Sequence, residues 1–226
     1  MYKNVVVLNE TEHKEKGAKS LSSFAYAKKF NSCIIVTDEF YEACKSYPIL
    51  FAKNSDGWYA LALFGLDGKN NFVNRKGDWR KGCYIPAYVR RYPFIYVKDD
   101  KNLFLGIDSA QIIEKSEADE RYFFEEDGSH SAFIEKIIKY LDAFHLQSLA
   151  TTDFIKRLDN LGVLEESMIT KTNNDKEDTY GNFWTVNESK LNGLSDDEKI
   201  SLCKDNSMKL VTAHLISLSN VKRMPL

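Results

Sequence analysis

The chain has 226 residues, 43% hydrophobic and 28% charged, enough to bury a core without disulfides or metals. A formal net charge of -2 gives no whole-molecule pull toward nucleic acid or anionic membrane, so such a partner would need a local patch. The longest apolar runs, residues 59–66 and 210–218, are far short of the ~18–20 residues of a transmembrane helix.

The chain opens with a short apolar run at residues 5–8 that reads as a strand. Glu10 and Glu12 follow at once, a pattern too short and too charged for a secretory signal, so a cytoplasmic location is expected, with export by a route that needs no signal peptide as the alternative. Residues 14–29 are polar and basic, and read as a loop or arm that packs by Phe24, Tyr26 and the adjacent Phe30. Residues 32–36 predict a short strand, and residues 38–47 a helix with Phe40, Tyr41 and Cys44 on one face. Two apolar runs, 48–53 and 58–66, are joined by Asn54-Ser55-Asp56-Gly57, the chemistry of an antiparallel hairpin. Residues 71–74 offer a short edge strand. Residues 94–97 and 103–107 flank a charged turn and predict a second hairpin, and the four strands are expected in one mostly antiparallel sheet.

The second half changes character. Phe133, Ile134, Ile137, Ile138, Leu141, Phe144 and Leu149 recur at helical spacing behind Ser131, a suitable N-cap. A separate helix is expected from Thr152, through Phe154, Ile155, Leu158 and Leu161, to a stop at Gly162. Residues 170–181 lack aliphatic side chains and read as a surface loop, with a return to sheet at residues 183–186. Ser195-Asp196-Asp197-Glu198 is a capping box for a short helix through Ile200 and Leu202. The tail, residues 208–218, reads as a strand. This order predicts an α+β fold: antiparallel sheet first, helices in the middle, and a closing β-α-β-like segment. No Pro- or Gly-rich linker divides the chain, so one domain over residues 1–226 is expected, with a weak subdivision near residues 125–131.

No catalytic motif stands out. Cys33, Cys44, Cys83 and Cys203 are scattered without C-x-x-C spacing and read as small buried thiols of a reducing compartment. His145 and His214 lie in apolar runs and read as structural, and neither metal nor cofactor is expected. The unusual segment is residues 75–98, where seven basic residues meet one acid, Asp78, with aromatic rings between them. Within it, Trp79, Arg80, Tyr84, Tyr88, Arg90, Arg91 and Tyr92 are the candidate binding residues, because rings stack and guanidinium groups make paired hydrogen bonds. Two readings stay open: a surface for a peptide or acidic partner, or a fold element whose cations pair with the acidic stretch that follows. Nucleic acid is disfavoured because the patch is short. Pro86 and Pro93 bracket the strip and are expected to hold it extended.

The run from Gly82 through Tyr84, Pro86, Tyr88, Arg90, Arg91 and Tyr92 to Phe94 resembles the hallmark of the bacterial SapC family. Residues 47–53, 103–108, 186–192 and 213–218 are similar to further segments of that family, so the likeness runs nearly end to end. The resemblance implies association with the bacterial surface layer, as a component or a biogenesis factor, and supplies no catalytic residues. With no secretory signal read at the N-terminus, it implies a non-enzymatic accessory protein with an envelope protein or peptide as partner. The alternative is an enzyme or small-ligand binder with its cleft around residues 79–94.

Overall fold

The computed structural model describes residues 1–99, 102–173 and 176–224, and for residues 170–180 the backbone path alone. The strands are β1 (Val5–Val7), β2 (Lys16–Ala18), β3 (Ser32–Ile35), β4 (Ile49–Asn54), β5 (Gly57–Leu63), β6 (Phe94–Lys98), β7 (Leu103–Asp108), β8 (Ile112–Glu114), β9 (Leu164–Asn173) and β10 (Lys176–Val186). The helices are α1 (Glu10–His13), α2 (Phe40–Ala43), α3 (Ala87–Arg90), α4 (Ala132–Asn160), α5 (Glu188–Asn192), α6 (Asp196–Lys204) and α7 (Ser207–Leu218). The fold is α+β, with every named strand pairing antiparallel.

The two predicted hairpins form, but in different sheets. β4 and β5 join a five-stranded sheet in the order β3-β5-β4-β10-β9, whereas β6 and β7 join β1 in the order β1-β7-β6. The β4–β5 turn closes because Asn54 accepts the Asp56 N–H through its side chain at 2.9 Å and Gly57 takes φ 121°. Central β5 is buried from Ala60 to Leu63, as a strand covered on both faces must be. In the smaller sheet the central strand carries Gly106. A Cβ there would meet Val97 Cγ2 at 2.7 Å and Val5 Cγ1 at 2.9 Å, so the missing side chain lets both neighbours cross.

β2 and β8 pair in a third, two-stranded sheet, the five-stranded and three-stranded sheets pack on different core clusters, and α4 joins these two clusters. Its first half places Ile134 and Leu141 against Phe94, Ile107 and Phe123 of one cluster. Its last turns place Phe154, Ile155 and Leu158 in the larger cluster with Ile35, Phe51 and Phe64. A 29-residue helix is ~44 Å long at 1.5 Å per residue, enough to serve both. The predicted break at Thr152 is therefore absent. Thr151 and Thr152 donate their hydroxyls to the carbonyls of Gln147 and Ser148, at 2.7 and 3.1 Å, and the helix runs on to its stop at Gly162 (φ 68°).

Five other expectations are corrected. The tail from Ser207 to Leu218 is a helix rather than a strand, with Val211, Ala213, His214 and Ser217 buried. The span expected as a loop lies in the β9–β10 hairpin, whose backbones pair from Leu164↔Val186 to Asn173↔Lys176; residues 174 and 175 lie outside the described residues. Residues 71–74 supply only an isolated bridge, Val73↔Trp79, and the 14–29 arm contains β2 and a single 3-10 turn, Ala25–Ala27. In the 38–47 segment Phe40, Ala43 and Tyr47 are buried, and Tyr41 faces outward. The caps at Ser131 and Ser195 form as expected, the latter with its Glu198 capping box.

Candidate functional site

The segment bracketed by Pro86 and Pro93 is not extended. Pro86 caps a single helical turn, α3, and the Tyr92–Pro93 bond is cis. Side chains from across the chain grip its backbone. Tyr26, Tyr140 and Tyr2 donate their hydroxyls to the carbonyls of Val89, Ala87 and Phe94 at 3.3, 3.1 and 2.7 Å, and Tyr47 donates to that of Tyr84. The Glu39 carboxylate, buried beside α2, accepts the Ala87 and Val36 N–H groups at 2.7 and 3.0 Å and the Tyr84 hydroxyl at 2.9 Å. Burial raises the pKa of Glu39, and those hydrogen bonds oppose the rise. Nothing in the local sequence marked Glu39, because two of its three partners lie 45 and 48 residues away.

The seven candidate residues part company. Trp79 is core: it packs on Phe24 and Phe64 and donates to the Tyr47 hydroxyl at 3.0 Å. Tyr92 is also core, stacked on Tyr26 with ring centroids 4.2 Å apart and bonded to Asp108 at 2.9 Å. Arg80 is exposed over the Phe72 ring. Arg90 is exposed but tethered, donating to the Ile85 carbonyl and the Tyr84 hydroxyl at 3.0 and 3.2 Å. Arg91 and Tyr88 form a half-buried pair, the guanidinium 4.0 Å from the ring centroid.

No carboxylate among the described residues lies within 4 Å of the Arg90 or Arg91 guanidinium, so these two are not paired with the acidic stretch that follows. Those acids serve other partners: Asp108 accepts from Lys3 N–H and Tyr92, and Glu114 pairs with Lys16. The Nε of Arg91 is buried and has no hydrogen-bond partner. A desolvated donor of a cation left open is costly, which marks Arg91 as the atom group to explain.

Arg91 stands in the wall between two clefts. One, of about 400 Å³, lies between α4 and the two sheets and is lined by Tyr88, Arg91, Tyr96, His145, Ser148 and Thr151 among others. The second, of about 300 Å³, opens on the other side beside β2 and the start of α4. Neither His145 nor the 148–151 hydroxyls had been singled out as cleft residues; they lie on the helix face that the sequence pattern assigns to packing. The cysteines differ from expectation: Cys33 is buried, Cys44 and Cys83 are half-buried, and Cys203 is exposed.

A SapC family model matches residues 8–224. The chain belongs to the SapC family. No curated protein and no solved structure matches it.

The segments that carry the SapC likeness meet in space. Tyr47 bonds Tyr84 and Trp79, and Tyr92 bonds Asp108. In the C-terminal pair, His214 accepts the Val186 N–H at 3.1 Å and Ser217 accepts the Ile49 N–H at 2.9 Å. Much of the SapC pattern therefore fixes how the two sheets, α3 and α7 are joined. Within the 82–94 segment of it, Arg91 and Tyr88 line the α4 cleft.

Proposed function

We propose that this SapC-family chain is a non-enzymatic binding or accessory protein of bacterial surface-layer or cell-envelope biogenesis, acting as one unit over residues 1–226. Its partner is an envelope protein or peptide that places an acidic group in the α4 cleft against Arg91 and Tyr88. The observation that carries this reading is the half-buried Arg91 side chain, whose Nε is buried and unpartnered and has no carboxylate within 4 Å among the described residues, lining a concave surface. Of the seven candidates, Tyr88 and Arg91 are assigned to contact; Arg90 and Tyr84 hold α3 in place, Trp79 and Tyr92 support it from the core, and Arg80 lies outside the site. Four unpaired thiols, one of them exposed, accord with a cytoplasmic site of action. Among the described residues no helix is long and apolar enough to cross a membrane.

The test is co-expression with the surface-layer subunit and affinity capture through this chain. Arg91→Gln and Tyr88→Ala are expected to lower capture at least tenfold while the circular dichroism spectrum stays unchanged. Capture at the wild-type level by both folded variants removes the cleft from the account. A second reading, a small-ligand binder or enzyme, is favoured by the imidazole and hydroxyls of His145, Ser148 and Thr151 in the same cleft. It predicts that the cleft is filled by a small molecule that co-purifies with the chain in the absence of any partner.

A further inference from the structure

The second cleft has a chemistry of its own. Lys19, Arg90, Arg91 and Arg121 all line it, and among the described residues no carboxylate does. Four basic residues around one cleft raise the local positive potential, which an entering anion would offset; Lys19 and Arg90 are exposed and Arg91 and Arg121 half-buried, so solvent screens part of it. Their internal compensation is slight. Arg121 gives its Nε to the Ala18 carbonyl at 3.2 Å and meets Asp119 at 3.4 Å, but the Asp119 side chain is 82% exposed. Arg90 reaches Glu39 only through the Tyr84 hydroxyl. The Lys19 side chain makes no hydrogen bond or ion pair among the described residues, and Arg91 keeps its open Nε.

The floor is apolar. Leu21, Phe24, Phe133 and Ile137 line it together with the Pro93 and Phe94 turn. A bare inorganic anion would satisfy the cations and leave that floor wet. A purely apolar ligand would cover the floor and leave the cations unpaired. A volume of about 300 Å³ is at the small end of ligand sites, too small for a folded partner's domain.

We propose that this cleft binds an amphipathic organic anion: a carboxylate or phosphate monoester head among the four cations, with a short alkyl or aromatic body on the floor. This site is separate from the partner cleft of the proposed function and does not depend on it.

The experiment is isothermal titration of the full chain with octanoate and with octyl phosphate, using octanol and inorganic phosphate as controls. At least one amphipathic anion is expected to bind at least tenfold more tightly than either control, and its head identifies the ligand class. Lys19→Gln, whose side chain holds no structural contact, is expected to weaken that binding at least fivefold; Lys19→Gln with Arg121→Gln is expected to abolish it. Affinity should fall as salt rises. Equal binding of octanol, equal binding of inorganic phosphate, no binding of either anion, or wild-type affinity in Lys19→Gln would each overturn the proposal. Lys19 does not line the α4 cleft, so envelope-partner capture by Lys19→Gln reports on the other reading separately.

Discussion

The Glu39 carboxylate accepts the Ala87 N–H at 2.7 Å, joining residues 48 positions apart. That bond orients α3, and with it the arginines that follow. Because the same carboxylate also holds Val36 N–H and the Tyr84 hydroxyl, one side chain satisfies three donors of a buried junction. Glu39→Ala should cost about 3 kcal/mol, since buried donors left unpaired cost ~1–3 kcal/mol each and do not add fully. Urea unfolding measures this; a loss below ~1 kcal/mol contradicts the role assigned to Glu39.

His214 is fully buried, stacked on Phe51 at 4.4 Å, and burial lowers its pKa to about 4. The unfolded imidazole takes a proton near pH ~6.5, whereas the folded one stays neutral to about pH 4. Stability from this group is therefore full above pH ~6.5 and falls as pH drops toward 4, by on the order of 3 kcal/mol. His214→Gln should flatten that part of the stability curve. Parallel curves for wild type and variant between pH 7 and 4.5 would refute the assignment.

Asp108 titrates in the opposite sense for an acid of its burial. Burial pushes its pKa up, but hydrogen bonds from Lys3 N–H, the Tyr92 hydroxyl, Ala110 N–H and Asn4 N–H outweigh this and leave it lowered. Its contribution is present above the unfolded carboxyl pKa of ~3.9 and is lost as pH falls through the lower folded value. Asp108→Asn should cost about 1–3 kcal/mol at pH 7 and release β1, whose Val5 is paired with Asp108. Faster amide exchange at residues 5–7 is the local signature, and unchanged protection there counts against it.

Thr151 links α4 to the 3-10 turn that follows β3 (Thr37–Glu39) by accepting the Thr37 N–H at 2.9 Å. Thr151→Val keeps the volume and helix but leaves that N–H buried without a partner, at a cost of about 1–2 kcal/mol. Far-UV circular dichroism should be unchanged while the unfolding midpoint falls; loss of helical signal would mean that Thr151 holds the helix itself.

Local chemistry made several elements legible. The Asn54–Gly57 turn, the Ser131 cap and the Ser195 capping box each contain their own donors and acceptors within four residues, so neither needs the rest of the chain to be recognised. The break expected at Thr152 failed for a reason of the same kind seen from the other side. Threonine hydroxyls compete with the helix backbone, but the single Thr152 hydroxyl proton is shared between the Trp58 and Ser148 carbonyls at 2.8 and 3.1 Å, and Thr151 serves Thr37. The tail became a helix because only that geometry brings His214 to Val186 and Ser217 to Ile49 together.

The candidate strip shows the same division. Composition marked residues 75–98 as unusual, and the family pattern at residues 82–94 within them is local in sequence, so both were readable. Which of those side chains lie in the core and which reach a cleft depends on Tyr47, Glu39, Asp108 and Tyr140, contributed from up to 53 residues away. By itself, then, the sequence determined the α+β class, the two hairpins, the capped helix starts and the SapC family. Only the tertiary structure decided the separate sheets, the unbroken α4 and the placing of Arg91 between two clefts, because those outcomes rest on burial and on hydrogen bonds between residues distant in the chain.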